Sequence, residues 1–248
     1  MAETIHMIQL RLRVDHLARI GAQKRFPPHG RDLGYSIHCA IMGLFGSAAP
    51  TPFSFAGTRN RFATVLGYSS TPGEELRRIA DESAEPQLHQ SCSWENFAAK
   101  PMPSRWPRGR RLAFRVRTCP VVRMSAVGPQ HRKGAEVDAF LAECWKQGTS
   151  AAVDRQTVYC KWLDDAFTRL AGATLVSRSV DAFRRERLLR RTHDDQRKSR
   201  VLERPDVVFS GELEVGESEA FTRLLRRGVG RHRGFGFGML LLSPTRRN

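Results

Sequence analysis

The stretch from Val207 to Leu242 reads VVFSGELEVGESEAFTRLLRRGVGRHRGFGFGMLLL. Alternating apolar residues predict a strand at Val207–Val215, and helical spacing follows at Glu217–Arg227. A glycine-rich segment then leads into an apolar terminal strand at Met239–Leu242. Strand, helix and strand in this order form the end of a βαββαβ unit, in which two helices cover one face of a four-stranded antiparallel sheet.

The residues before this stretch predict the start of the same unit. They contain a strand at Leu112–Arg117 and helical segments from Glu136 to Leu170. Residues 176–204 are basic, and their periodicity leaves open whether they form a long hairpin or a helix.

The first hundred residues show a second set of elements in βαββαβ order. In chain order these are a strand at Ile5–Val14, a helix at residues 33–45, two strands within residues 53–69 separated near Thr58–Arg61, a short helix at Gly73–Asp81 and a strand at Gln87–Phe97. The predicted fold class is α+β, with two tandem ferredoxin-like domains. We expect domains at residues 1–100 and 111–248, joined by the proline-rich residues 101–110 as a linker.

The positive charge is concentrated in the second half. The 248 residues contain 41 Lys and Arg against 25 Asp and Glu, a net charge of +16. Residues 1–100 hold 11 basic and 9 acidic side chains, and residues 101–248 hold 30 and 16. A field of this sign favours a polyanion over a small neutral substrate, so nucleic acid is the first partner class that the sequence indicates.

The sequence gives little support to other classes of protein. The five cysteines form no CxxC pair and no zinc-ligand spacing, which fits a reduced cytoplasmic protein without a metal site. The N-terminus lacks a secretory signal pattern, and no apolar run is long enough to span a membrane. Adjacent acidic pairs such as Asp164/Asp165 and Asp194/Asp195 point apart and find no third ligand nearby, so a two-metal nuclease is not favoured. We expect no small-molecule cofactor.

The glycine-rich segment contains Gly228, Gly230, Gly234, Gly236 and Gly238. A dinucleotide fingerprint would have to follow a strand and open a helix, whereas this segment follows a helix and precedes a strand. A P-loop is excluded because no Gly-Lys-Ser/Thr is present. Glycines at this density permit close approach of another backbone, and nearby cations can hold phosphates. A purely structural glycine loop is the alternative.

This C-terminal pattern resembles that of the RAMP proteins of CRISPR systems, and in particular the CasE family, the endoribonucleases of type I-E Cascade. The resemblance extends to RLRV at residues 11–14, LGYSIHCAIMGLFG at 33–46, FRVRTCPVVR at 114–123 and HRKGAEVDAFL at 131–141. It is weak from Pro50 to Pro103. The resemblance implies RNA processing and assembly with other Cascade subunits.

The first predicted helix presents two polar rings away from its apolar face. At about 100° per residue, Leu33, Ile37, Ala40, Ile41 and Leu44 share one face, while Tyr35 and His38 lie one turn apart on its flank. By itself this spacing is also that of an ordinary surface pair. CasE-like proteins carry a Tyr-x-x-His on this helix, and the resemblance implies that Tyr35 and His38 are catalytic.

The chemistry implied by the resemblance is metal-independent. The ribose 2′-OH attacks the adjacent phosphate and gives a 2′,3′-cyclic phosphate and a 5′-OH, which requires RNA. A histidine, with an unperturbed pKa of about 6.5, can act as base or acid, and the sequence leaves this open. A tyrosine, with a pKa of about 10, is assigned a supporting role.

We expect the basic second half to hold an RNA hairpin mainly through its phosphates, because the major groove of A-form RNA is too narrow for side chains. The predicted RNA-binding residues are Arg115, Arg117, Arg132, Lys133, Arg184, Arg185, Arg187, Arg190, Arg191, Arg231, His232 and Arg233. A non-catalytic RAMP subunit and an unrelated basic RNA-binding protein are the alternatives to a CRISPR repeat endoribonuclease.

Overall fold

The structure is a computed structural model that describes residues 4–23, 33–148, 152–191 and 199–245. Its strands are β1 His6–Arg13, β2 Phe53–Arg59, β3 Phe62–Ser69, β4 Ala98–Pro101, β5 Arg111–Thr118, β6 Val121–Arg123, β7 Glu136–Asp138, β8 Ala173–Arg191, β9 Ser199–Val215 and β10 Leu241–Pro244. Its α-helices are α1 Val14–Gln23, α2 Leu33–Phe45, α3 Gly73–Ser83, α4 Pro86–His89, α5 Ala139–Gln147, α6 Arg155–Leu170 and α7 Ser218–Arg227.

The two halves of the chain form four-stranded sheets of equivalent order. The first sheet runs β2-β3-β1-β4 and the second β10-β5-β9-β8, and every neighbouring pair is antiparallel. In the first sheet β1 lies between β3 and β4, and in the second sheet the equivalent strand β5 lies between β9 and β10. This is the ferredoxin-like order, so the predicted α+β fold with two tandem ferredoxin-like units is confirmed.

Alternation of buried and exposed residues accounts for the central strands. In β5, Leu112, Phe114 and Val116 are buried, and Arg111 and Arg115, which alternate with them, are exposed. A strand directs successive side chains to opposite faces, so this alternation covers one face of the second sheet with apolar side chains. The first and second halves bury separate apolar cores on their sheets.

The two halves are packed against each other through Tyr68 at the end of β3. Its ring is buried in the core of the second half, and its hydroxyl donates a 2.8 Å hydrogen bond to the carbonyl of Leu240. Burial raises the pKa of this phenol, so the hydroxyl stays a donor. The predicted linker also contacts the second half, since Trp106 is buried against Phe221 and its backbone N–H donates to Ser218.

Several predicted elements differ from the structure. The strand predicted at Gln87–Phe97 is wrong: Pro86 opens α4, and a 3₁₀ turn at Trp94–Asn96 follows. Residues 91–93 do bond to β1, but the turn interrupts the pairing before it resumes at β4. The terminal strand begins two residues later than predicted, and α1 was not predicted at all.

The ambiguous basic region is a hairpin. β8 and β9 pair from Ala173/Val215 out to Arg191/Ser199, well past the end of their neighbour β5. The segment joining them, residues 192–198, lies outside the described residues, and so does the acidic pair Asp194/Asp195. In the part of the chain that the structure describes, no helix is long and apolar enough to cross a membrane.

Candidate RNA-processing site

Helix α2 holds the Tyr35/His38 pair as predicted from its periodicity. The apolar face is buried against the first core, with Ile37, Ala40 and Ile41 at 2% exposure or less. Tyr35 and His38 are half-buried on the flank, and their ring centroids are 6.2 Å apart. The helix therefore presents both rings beside each other, away from the first core.

The glycine loop, residues 228–238, is closed by its own backbone. Val229 N–H donates to the carbonyl of Gly238 at 2.8 Å, and Gly238 N–H donates to the carbonyl of Arg117 on β5 at 2.7 Å. Gly238 has φ +81°, and a Cβ there would lie 2.5 Å from the Val229 carbonyl oxygen. A Cβ on Gly228 would lie 2.7 Å from the Gly238 carbonyl oxygen. Glycine is required here because the two arms of the loop approach each other closely.

The tip of this loop lies on the Tyr35/His38 pair. The ring of Phe235 is nearly parallel to that of Tyr35, 5.9 Å away between centroids, and its centroid is 4.5 Å from that of His38. Next to it, an ideal Cβ on Gly234 would lie 3.5 Å from Nδ1 of His38. Residues almost two hundred positions apart thus meet in one place. Phe235 was not among the site residues predicted from the sequence, although an aromatic residue between two glycines was a visible signal.

The three predicted loop cations have different surroundings. Arg231 forms a 2.7 Å ion pair with Glu136 on β7, and Nε2 of His232 lies 3.6 Å from the same carboxylate. Arg233 donates to the carbonyl oxygen of Arg227 at the end of α7. Burial, together with the nearby charge of Arg227, lowers the pKa of Arg233. Arg233 is therefore a partly desolvated cation beside another cation.

A buried ion pair between Arg117 and Asp206 packs against the glycine loop. The carboxylate of Asp206 is 3% exposed and accepts two hydrogen bonds from Arg117, at 2.7 and 2.9 Å. The guanidinium of Arg117 lies 4.2 Å from the ring centroid of Phe237 in the loop. Asp206 also accepts a 2.6 Å bond from Arg184 on β8. Arg117 is thus held between the sheet and the loop, and the sequence alone did not indicate Asp206 as its partner.

The other predicted RNA-binding residues lie on separate elements of the second half. Arg115 is exposed on β5, and Arg132 and Lys133 are exposed between β6 and β7. On the hairpin, Arg185 pairs with Glu203 at 3.2 Å and Arg187 is exposed. The side chains of Arg190 and Arg191 lie outside the described part of the chain.

Acidic side chains in the described ranges serve as ion-pair partners. Asp164 pairs with Arg178, and Asp165 pairs with Lys161. Across these ranges no three His, Cys, Asp or Glu side chains are grouped so that they could hold a metal ion.

These features define a class of protein: two tandem ferredoxin-like units in one chain, with a C-terminal glycine loop packed against helix α2 of the first half. A sequence profile of the family described as CRISPR associated protein matches residues 5–244. The chain belongs to this family, and the predicted relationship to the CasE group is confirmed.

Known proteins of this family resemble the chain in sequence and in fold. The CRISPR-associated endoribonuclease Cse3 of Thermus thermophilus is 28% identical over 151 residues, which cover 60% of this chain and 63% of that protein. The match thus spans less than two thirds of the curated relative.

Two solved structures share the fold. CRISPR endoribonuclease Cse3 bound to a 19 nt RNA has a TM-score of 0.65 at 19% identity, covering 97% of this chain and 100% of that one. CRISPR-associated protein Cas6e from Escherichia coli str. K-12 has a TM-score of 0.62 at 15% identity, with the same coverage.

Proposed function

We propose that this protein is a metal-independent endoribonuclease that cleaves precursor CRISPR RNA at a repeat hairpin in the cytoplasm. The observation that carries the proposal is the meeting of the Tyr35/His38 pair with the glycine loop of the basic half. A histidine able to move a proton thereby lies next to cations able to neutralise a phosphate. Family membership supports the same activity, since the relative from Thermus thermophilus is named an endoribonuclease.

The proposed reaction is an intramolecular transesterification. The 2′-oxygen loses its proton and forms a bond to the adjacent phosphorus, the bond from phosphorus to the 5′-oxygen breaks, and that oxygen takes up a proton. His38 performs one of the two proton transfers. Tyr35 orients the 2′-OH or donates a hydrogen bond to a phosphate oxygen. The products are a 2′,3′-cyclic phosphate and a 5′-OH.

The basic half supplies the grip on the RNA in this proposal. Arg115, Arg132, Lys133, Arg185 and Arg187 are exposed and available to phosphates. We further propose that the protein stays bound to its product within Cascade. Proteins of this fold occur in a CRISPR RNA-guided surveillance complex, with a TM-score of 0.59 to this chain at 14% identity.

The test is cleavage of a CRISPR-repeat transcript by the purified protein in EDTA, with identification of both product ends. The wild type is expected to cut once per repeat and to leave a cyclic phosphate. His38→Ala is expected to lower the rate by at least about 10²-fold, because positioned acid–base catalysis contributes about 10²–10⁴. Its affinity for the hairpin should stay within a few-fold of wild type.

A matched control is His89→Gln, which removes an imidazole that pairs with Asp81 in the first half, outside the candidate site. It should leave the cleavage rate unchanged. A 2′-deoxy ribose at the scissile position should stop cleavage by the wild type, and continued cutting would refute the mechanism. Tight hairpin binding without cutting would instead support a non-catalytic RAMP subunit, the alternative function.

A further inference from the structure

A cavity of about 980 Å³ is lined in part by Phe235, the residue that contacts Tyr35 and His38. We call it the loop cavity. It is lined by residues of β6, β7, α6, the end of α7 and the glycine loop, and by Thr51 of the first half. Pockets that bury a small ligand measure about 300–1,000 Å³, so this space has room for a nucleotide.

The charge around the loop cavity is strongly positive. Five arginines line it, against the carboxylates of Glu136 and Asp165; the arginines are Arg123, Arg169, Arg227, Arg231 and Arg233. Both carboxylates already form ion pairs: Glu136 pairs with Arg231, and Asp165 pairs with Lys161. An anion entering the cavity would therefore meet uncompensated positive charge.

Two of these cations, Arg227 and Arg233, lie together where the glycine loop meets α7. Arg233 is bonded to the backbone of Arg227, and the guanidinium of Arg227 is close enough to lower the pKa of Arg233. Like charges held together in a partly desolvated wall repel each other, and a phosphate between them would remove the repulsion. This end of the cavity is chemically suited to one phosphodiester.

The same wall carries an aromatic ring. Phe235 lines the loop cavity while it also contacts Tyr35 and His38. The ring is half-buried and lies between Gly234 and Gly236. Aromatic side chains beside cations are the usual platform for unpaired bases, because every base has a face that can stack.

We propose that the loop cavity binds the unpaired RNA strand immediately beyond the scissile phosphate, with a base stacked on Phe235 and a phosphate held by Arg227 and Arg233. Phe235 is shared between this site and the proposed catalytic pair, since it lines the cavity and contacts Tyr35 and His38. The site fixes the strand that leaves on cleavage, so it favours uncut RNA over the product hairpin. This inference rests on the proposed endoribonuclease function and adds the subsite that receives the leaving strand.

The experiment compares two RNAs with a 2′-deoxy ribose at the scissile position. One repeat hairpin ends directly after the scissile phosphate, and the other continues for three unpaired nucleotides. The wild type should bind the longer RNA about tenfold more tightly, which is within the range expected for stacking of one base. A third RNA with an abasic residue directly beyond the scissile phosphate should lose most of that gain.

Substitutions test which side chains produce this gain in affinity for the longer RNA. Phe235→Leu keeps an apolar side chain in the loop and should bind the longer and abasic RNAs equally. Arg227→Ala should lower the gain and reduce its salt dependence by about one phosphate contact. Arg105→Ala removes an exposed arginine from the segment between the domains and should leave the gain at tenfold.

Equal affinity of the wild type for the short and long RNAs would overturn the inference. Cleavage of an all-ribose repeat, measured in parallel, separates the two ideas. If the wild type cleaves and length has no effect, only the loop-cavity subsite is refuted. If the wild type does not cleave, the proposed function fails and the subsite fails with it.

Discussion

The two ferredoxin-like halves have the same strand order and differ in what is added to it. In the first half, the hairpin of β2 and β3 turns tightly at Asn60 and Arg61. In the second half, the equivalent strands β8 and β9 extend into a ladder of 19 and 17 residues. The second half also inserts the glycine loop between its last helix and last strand.

Charge follows the same division. The first hundred residues are nearly neutral, while the remainder holds most of the +16. The first half contributes Tyr35 and His38 from a helix whose other face is core, and the second half contributes cations and a loop that reaches across. One sheet topology thus supports two different sets of candidate site residues.

The largest effect on stability is expected from breaking the buried ion pair between Arg117 and Asp206. Asp206→Asn leaves Arg117 without its buried counter-charge, and loss of one partner from a buried pair costs about 3–5 kcal/mol. The measurement is the free energy of unfolding in urea. As a control, Asp164→Asn removes the surface partner of Arg178 and should cost no more than about 1 kcal/mol. Equal losses of unfolding free energy in the two variants would mean that the buried pair of Asp206 stabilises the second half no more than a surface ion pair does.

A smaller effect on stability is expected from adding a side-chain atom between the two arms of the glycine loop. Gly238→Ala adds a Cβ at φ +81°, 2.5 Å from the Val229 carbonyl oxygen. Gly109→Ala has the same φ with nothing within 4 Å, so it tests the backbone strain alone. Strain costs about 1–2 kcal/mol, and overpacking at Gly238 adds about 1–3 kcal/mol. Thermal unfolding of both variants checks this, and equal stability would show that the loop arms can move apart.

The smallest effect is expected from single surface arginines, and it sharpens the contrast between the halves. Arg187→Ala on the hairpin should weaken binding of the repeat hairpin a few-fold and lower the salt slope by about one unit. Arg19→Ala, on α1 of the first half, should change neither quantity. Titration of labelled RNA at several salt concentrations measures both. A larger loss from Arg19 than from Arg187 would reverse the assignment of the RNA grip to the second half.

Local patterns in the sequence predicted much of the fold. The apolar spacing of residues 33–45 gave the bounds of α2, and alternation identified β1, β5 and the β2–β3 pair. The strand predicted at Gln87–Phe97 was wrong because alternation does not show where a 3₁₀ turn interrupts a ladder. For residues 176–204 periodicity left hairpin and helix open, because a solvated two-stranded ladder buries too little on either face to impose one period.

The candidate site divides in the same way. Tyr35, His38 and the loop glycines were predicted from short motifs, whereas the contacts of Phe235 and Asp206 were not predicted. The partners of Phe235 lie on α2, and the partner of Asp206 lies on β5, each far away in the chain. Nothing in the spacing around either residue specifies those contacts.

By itself, therefore, the sequence determined the fold class, the concentration of positive charge in the second half and the Tyr-x-x-His motif on helix α2 of the first half. These depend on interactions between residues close together in the chain, which leave a periodic pattern. Only the tertiary structure decided that the glycine loop rests on this helix, that Arg117 is held by Asp206 and that a basic cavity opens beside the pair. Such contacts depend on how two separately folded sheets pack together, and that packing brings into contact residues that no local pattern relates.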